Sequence, residues 1–355
     1  MARITILAGG TGGHVFPALA VAQEMRARGW EVSWMGTPDS FESRTVPGYG
    51  FPLETISAYR LRGQGMGGLL LAPFRLLNAM TQAGKILRRT RPQLVLGMGG
   101  FVTGPGGLVS KLLGIPLVIH EQNTIPGLTN RWLAKIATQV LQAFPGSFPE
   151  AVGAVLTGNP LRMGIPAVIE PAERMRNRDQ TFRVLIIGGS LGAQALNQQV
   201  PLALKQLQYP LAVRHQAGRG KAEATRELYA QQPWAEVTEF IDDMAQALAW
   251  ADLVICRAGA LTISELAAVG VASVLVPYPH AVDDHQTSNA GYLVDGGAAV
   301  LLEQPELAGD GLTRQLQILL KDREKLLRMA LAARALARPD ATRAVADCCE
   351  MQAKS

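Results

Sequence analysis

Short apolar runs alternate with longer amphipathic stretches along the first half of the chain. Residues 4–8 form a β-branched apolar run, and 17–28 place Leu19, Val21, Ala22 and Met25 on one helical face. Residues 31–35, Leu94–Gly97 and 117–120 read as further strands, the last two running into Gly-rich or polar turns. This rhythm predicts an α/β fold with a parallel, doubly wound sheet. It pauses over 158–181, where Pro160, Pro166 and Pro171 precede the charged run 173–180. It restarts with strands at 183–187, Leu253–Cys256 and 273–276, and with a helix over Ala260–Val269. Residues 312–337 read as one Leu/Ala/Arg-rich helix ended near Pro339, with a last short helix over 341–353. The expected organisation is a first domain over 1–160, a linker over 161–181, a second domain over 182–338 and a terminal helical segment over 339–355.

Composition narrows the function classes. The chain has 355 residues, 48% apolar and 18% charged, enough for two cores and far from a disordered composition. No uninterrupted apolar run reaches the length of a membrane span, and the start of the chain lacks the pattern of a signal peptide. Three cysteines, Cys256, Cys348 and Cys349, argue against a disulfide framework and fit a reducing cytoplasm. The net charge of +5 is uneven. Residues 1–160 hold 14 Lys/Arg against 7 Asp/Glu, and the remainder 20 against 22. A basic first half points to an anionic partner. Nucleic acid is disfavoured, because aromatics are only 6% and are not interleaved with the cations.

Both halves open with a strand, a Gly-rich turn and a helix, at 7–14 (LAGGTGGH) and 186–193 (IIGGSLGA). Glycine lets the backbone take positive φ and lets a ligand approach the amides, while the following helix aims its N–H groups at the same spot. Neither turn fits a dinucleotide fingerprint. Counting from Gly10, the sixth position is Val15, and the second turn has Ser190 in third place. No Gly-Lys-Ser/Thr follows either turn, so a P-loop is excluded as well.

Eight motifs then occur in order: AGGTGGHVFPALA at 8–20, GMGGFVTGP at 97–105, HEQN at 120–123, GNPLR at 158–162, GGSLGAQALN at 188–197, FIDDM at 240–244, RAGALTISEL at 257–266 and DDHQTSNA at 283–290. Together they resemble the MurG family over nearly the whole chain. That family moves N-acetylglucosamine (GlcNAc) from UDP-GlcNAc to undecaprenyl-pyrophosphoryl-MurNAc-pentapeptide (lipid I), giving lipid II in peptidoglycan synthesis. The resemblance implies a GT-B architecture: two Rossmann-like domains with parallel sheets facing a cleft, and C-terminal helical structure returning to the first. The implied partners are UDP-GlcNAc, lipid I, an anionic phospholipid surface and other cell-wall synthesis proteins. The implied location is peripheral, on the cytoplasmic face of the inner membrane. No cofactor is expected, and no metal, since Asp242-Asp243 is not an Asp-x-Asp pair.

The resemblance distributes roles along these motifs. Glu265 is the ribose ligand, a carboxylate able to accept from two hydroxyls; an acid complementing the dipole of the first helical turn is the alternative. Ala260, Leu261, Thr262, Ile263 and Ser264 precede it, with Thr262 or Ser264 placed to cap the helix. Ser190 and Arg162 are diphosphate contacts, although a surface ion pair also suits Arg162. Ile241 reads uracil through its backbone, and Gln286 and Asn123 face sugar hydroxyls. Thr11, Gly12 and Gly13 contact the transferred sugar or the acceptor pyrophosphate. Inverting transfer needs a base for the acceptor hydroxyl. His14, at a helix start that favours its neutral form, is one candidate and Glu121 the other. A structural cap or a phosphate contact is the other reading of His14.

Residues 69–77 (LLLAPFRLL) supply an apolar patch, with Leu70, Leu71 and Phe74, beside Arg75, Lys85, Arg88 and Arg89. Apolar side chains ringed by cations suit an anionic bilayer surface, and an ordinary buried helix with a solvated basic face is the plainer reading. Two rival functions share the fold: a UDP-GlcNAc 2-epimerase and a nucleotide-binding regulator without activity.

Overall fold

The computed structural model describes residues 1–58, 66–189, 192–230 and 232–354. Contacts divide the chain into Met1–Arg162 with Asp340–Ser355, and Met163–Pro339. The first unit carries strands β1 (Arg3–Leu7), β2 (Glu31–Gly36), β3 (Leu53–Thr55), β4 (Leu94–Gly97), β5 (Leu117–Glu121), β6 (Gln139–Gln142) and β7 (Val155–Leu156). They pair in parallel in the order β3-β2-β1-β4-β5-β6-β7. The second carries β8 (Phe182–Ile187), β9 (Leu211–Gln216), β10 (Ala235–Thr238), β11 (Leu253–Cys256), β12 (Ala272–Leu275) and β13 (Ala299–Leu301), in the parallel order β10-β9-β8-β11-β12-β13. Each is a Rossmann-like sheet. The direction of winding reverses between β1 and β4 in one and between β8 and β11 in the other. Parallel sheets of this kind bind ligands outside the carboxyl ends of the strands at such a reversal. Both Gly-rich turns lie there.

The strands at the reversals are buried except at Arg3 and Arg183, as expected where helices cover both faces of a parallel sheet. On one face of the first sheet, Ile4, Ile6, Val15, Leu19, Met25 and Leu94 share a core with Val345, Ala346 and Cys349 of the last helix, Ala341–Lys354. Polar contacts hold that helix too. Arg28 donates to Asp347 at 2.6 Å and Glu350 at 3.1 Å, and Trp30 Nε1 donates to Glu350 at 3.1 Å. The opposite face packs Leu7, Val95 and Ile119 against Ala79, Ala83, Ile86 and Leu87 of helix Met66–Thr90. The second unit has one large core that includes Val184, Ile186, Ile255, Val274 and Leu316. All three cysteines are buried thiols, and burial pushes Cys256 up to about 12 and raises Cys349 as well, so neither is an ionised nucleophile at neutral pH.

Three expected elements differ. The first helix begins at Gly12, not at Pro17, which lies inside it. Proline scores as a helix starter, but here Thr11 takes the extended cap position and the Gly-rich turn supplies the first helical residues. The single helix over 312–337 is two, Gly311–Leu320 and Arg323–Ala335; Asp322 interrupts them and caps the second by accepting from Lys325 N at 3.0 Å. Residues 163–181, within the expected linker, pack on the second unit. There Arg174 donates to the carbonyls of Val269 and Gly270 at 2.9 and 2.6 Å, and Arg178 pairs with the buried Asp252.

Candidate active site

Three strand ends converge in the first unit. Leu7 of β1 stands in register with Gly97 of β4, and β5 ends at Glu121 beside β4. The turn after β1 is tied to the turn after β4: Met98 N donates to Leu7 O at 2.8 Å and Gly9 N to Gly99 O at 3.3 Å. Buried side chains reinforce the turn by donating to its carbonyls. Trp34 Nε1 donates to Ala8 O at 2.8 Å, and Thr103 Oγ1 donates to Leu7 O and Gly99 O at 3.2 and 2.8 Å. The GMGG segment is therefore glycine for steric reasons. Gly100, at positive φ, lies against the Gly9 backbone, where a Cβ would collide.

His14 sits in the first turn of helix Gly12–Ala27 and is half-buried. Its Nδ1 is 2.9 Å from Gln122 Oε1. Gln122 Nε2 is 3.1 Å from His120 Nδ1, and His120 Nε2 is 2.9 Å from Gly158 O. His120 and Gln122 are buried, and burial pulls the His120 imidazole down to about 4, so it stays neutral at physiological pH. Gly99 makes room for His14: at φ +100° it carries no side chain, and a Cβ would stand 2.5 Å from His14 Nδ1. Gly99→Ala should therefore displace the imidazole and strain the turn. We expect a loss of stability of about 1–3 kcal/mol, read from denaturant titrations.

Glu121 is only 2% exposed, and both its oxygens are occupied. Oε1 accepts from Asn123 N at 2.9 Å and Asn123 Nδ2 at 3.1 Å; Oε2 accepts from Gly127 N at 3.1 Å and Asn130 Nδ2 at 2.8 Å. Its carboxylate organises the loop after β5, and Asn123 is held by it. Arg162 lies over the Phe16 ring at 4.9 Å, on the helix that carries His14. Thr11 and Gly13 are exposed at the helix start, and the Thr11 side chain makes no capping bond.

Glu42 escaped the sequence reading. It is fully buried beneath the first turn, and it accepts from Gly10 N at 2.9 Å, Thr37 N at 2.9 Å and Thr37 Oγ1 at 2.7 Å. Burial acts to raise its pKa, but the hydrogen bonds from Gly10 and Thr37 outweigh it and hold the carboxyl below its usual range. A depressed carboxylate adds stability that is present above its unfolded pKa and lost as pH falls through the folded one. Glu42→Gln leaves one of these donors facing an NH2 group. It should lower stability by about 1–3 kcal/mol in denaturant titrations at pH 7, with the gap to the unmodified protein narrowing in acid. No local motif marks Glu42; its only sequence signal is an acidic residue beside the Phe41 and Val46 apolar positions.

In the second unit, Gly188 and Gly189 follow β8, and Gly189 and Gly192 take positive φ. Ser190 lies outside the described residues. Helix Ala260–Val269 starts after β11 with Gly259 as its cap and no side-chain capping bond. Thr262 and Ser264 are thus inside the helix, and Ser264 Oγ donates back to Ala260 O at 3.0 Å. The capping expected of them is corrected: the helix begins before them. Glu265 is buried and lies in the second turn, not the first, which removes its role as an acid at the helix start. Ala260, Leu261 and Ile263 are buried as well; Ile263 N donates to Gly259 O at 2.9 Å, and the polar groups of Ala260 and Leu261 are those of the backbone at the helix start. Arg257 donates to Val276 O at 3.1 Å and Pro277 O at 3.0 Å, and so shapes the loop after β12. That loop meets Gln286, whose Oε1 accepts from Tyr278 N at 2.9 Å. Ile241 is half-buried just ahead of helix Met244–Trp250, which Asp243 caps by accepting from Gln246 N at 2.8 Å.

The apolar run of helix Met66–Thr90 divides along its length. Ala79, Ala83, Ile86 and Leu87 are buried, whereas Leu71, Phe74 and Leu77 are exposed by 50%, 72% and 63%. The side chain of Leu70 lies outside the description. Arg75 is half-buried, Lys85 and Arg88 are exposed, and Arg89 pairs with Glu54 at 2.5 Å. Helix Thr103–Leu112 packs beside it and exposes Leu112, and the next helix, Leu128–Leu133, exposes Trp132, with Lys135 Nζ 4.4 Å from its ring centre. Among the described residues no helix is long and apolar enough to cross a membrane.

Two family models match the chain: the glycosyltransferase family 28 N-terminal domain over residues 4–142 and its C-terminal domain over 183–345. A relative from Methylococcus capsulatus, a UDP-N-acetylglucosamine–N-acetylmuramyl-(pentapeptide) pyrophosphoryl-undecaprenol N-acetylglucosamine transferase, is 54% identical over 349 residues, 98% of each chain. The crystal structure of Acinetobacter baumannii MurG superposes with a TM-score of 0.85 at 43% identity, over 99% of this chain and all of that one. The calicheamicin glycosyltransferase matches with a TM-score of 0.70 over 99% of this chain and 98% of that one, at 16% identity, a likeness of fold alone.

Proposed function

Since the chain belongs to glycosyltransferase family 28 and, within it, to the MurG family, we propose that its two Rossmann-like units divide a known reaction between donor and acceptor. The enzyme has the GT-B architecture and transfers GlcNAc from UDP-GlcNAc to lipid I, forming lipid II in peptidoglycan synthesis. The second unit binds UDP-GlcNAc. Glu265 accepts from the ribose hydroxyls, the amides at the start of helix Ala260–Val269 and Ser190 hold the diphosphate with Arg162, Ile241 offers its backbone to uracil, and Gln286 reads the sugar. The first unit brings the acceptor to His14, with Thr11, Gly12, Gly13 and Asn123 around the transferred sugar and the pyrophosphate.

His14 is the base in this reading. The observation that carries it is the contrast at the first reversal point: Glu121 is buried with both oxygens spent on four donors between Asn123 and Asn130, whereas the His14 imidazole is half-exposed and, among the described residues, is held through Nδ1 by Gln122. The acceptor oxygen attacks the anomeric carbon as its proton passes to His14, and the bond to the β-phosphate oxygen breaks with its electron pair leaving on UDP. The enzyme docks on the cytoplasmic face of the inner membrane through Leu71, Phe74 and Leu77, with Lys85 and Arg88 toward anionic headgroups.

Binding and chemistry are separable by experiment. Glu265→Ala should weaken UDP-GlcNAc binding by about 10–10²-fold in calorimetry, and His14→Ala should leave it within a few-fold. Unchanged binding in the Glu265 variant would contradict the donor assignment.

A further inference from the structure

The hydrogen bonds behind His14 have a direction that chemistry fixes from one end. Gly158 O is a carbonyl and only accepts, so His120 Nε2, 2.9 Å away, carries a proton and donates it. His120 is neutral in its buried setting, so its Nδ1 holds a lone pair. That lone pair faces Gln122 at 3.1 Å and requires the amide NH2 there, which turns Gln122 Oε1 toward His14. An amide oxygen only accepts, so His14 Nδ1 must be the protonated nitrogen. Each link is held from behind. Thr157 Oγ1 donates to Gly158 O at 3.1 Å, Asn130 Nδ2 to His120 O at 3.2 Å, and Asn159 Nδ2 to Gln122 O at 3.0 Å.

We propose that His120 and Gln122 form a positioning relay that fixes the tautomer of His14, with the proton on Nδ1 and the basic lone pair on Nε2. The catalytic role of the relay rests on the reading of His14 as the base. The acceptor hydroxyl proton moves to Nε2, the Nδ1 proton stays in its bond to Gln122, and the imidazolium later returns one proton to water. The proton does not travel inward, because Gln122 is not a base and full burial disfavours a charged His120. Gln122 thus does with a neutral amide what a carboxylate does behind other catalytic histidines: it selects the nitrogen that reacts. The HEQN motif gains a division of labour, with His120 and Gln122 directed at His14 and Glu121 at the loop.

The test has two arms. In the unmodified enzyme labelled with 15N-histidine, long-range 1H–15N correlation at pH 8 should show His14, identified by the signal lost in His14→Ala, as the Nδ1–H tautomer. An Nε2–H tautomer overturns the relay. In the kinetic arm, Gln122→Met should lower kcat by about 10–10²-fold, with the KM for UDP-GlcNAc within about 2-fold, and should add little when His14 is already alanine. An equal loss in both backgrounds would mean that Gln122 acts structurally, and overturns the relay. Near-normal turnover in His14→Ala alone overturns the base reading instead, and the NMR arm distinguishes the two failures.

Discussion

Replacing His14 with alanine is expected to lower kcat by about 10²–10⁴-fold, the range for losing a general base, while the KM for UDP-GlcNAc changes little. The split follows from position. His14 belongs to the first unit and the residues assigned to UDP to the second, apart from those placed at the sugar and the diphosphate. If His14 held only the acceptor pyrophosphate, the loss would appear in acceptor KM and vanish at saturating acceptor. Glu121 makes the opposite prediction. With four hydrogen bonds to the loop at 123–130, its loss should loosen that loop and lower stability together with activity.

The second large effect is expected at the membrane. Changing Phe74 and Leu77 together to aspartate removes two exposed apolar side chains from the surface that would enter the bilayer. Burying one such side chain contributes about 1.5–3 kcal/mol, so the pair is worth on the order of 3 kcal/mol even when insertion is partial. Partitioning onto vesicles containing anionic lipid should drop by about 10²-fold in sedimentation, with thermal stability retained because both residues are exposed. Turnover of a short-chain, water-soluble acceptor should survive. Raising salt should weaken binding of the unmodified enzyme through Lys85 and Arg88. Salt-independent binding, or no binding at low salt, would contradict the docking face.

The alternation of apolar runs carries the fold because strands beside the reversal points are short, continuous and apolar. Leu94–Gly97 and Leu253–Cys256 are legible for that reason. Two strands are not legible: polar residues bound the short β6 (QVLQ) and end β9 (LAVRHQ), and β9 buries His215 against Tyr229 and Asn197, hydrogen bonds that no periodicity shows. Helix starts mislead where glycine and proline have more than one use, as at Gly12 and Pro17. The Gly-rich motifs are placed as their pattern implies, each starting directly after a strand at a reversal, where parallel sheets take ligands. The supporting side chains were hidden because they act over long separations. Glu42 reaches Gly10 across 32 residues, and Gln122 reaches His14 across 108. Gly158 likewise reads as a turn residue, although its carbonyl sets the direction of the hydrogen-bond chain to His14.

The most direct measurement is the product itself. The purified enzyme, given UDP-GlcNAc and a short-chain lipid I analogue, should release UDP and form the GlcNAc–MurNAc disaccharide in equal amounts. The anomeric configuration should be inverted, and both products should fall together, by about 10²–10⁴-fold in rate, in His14→Ala. Epimerised UDP-sugar, or donor binding without transfer by the folded protein, would contradict it.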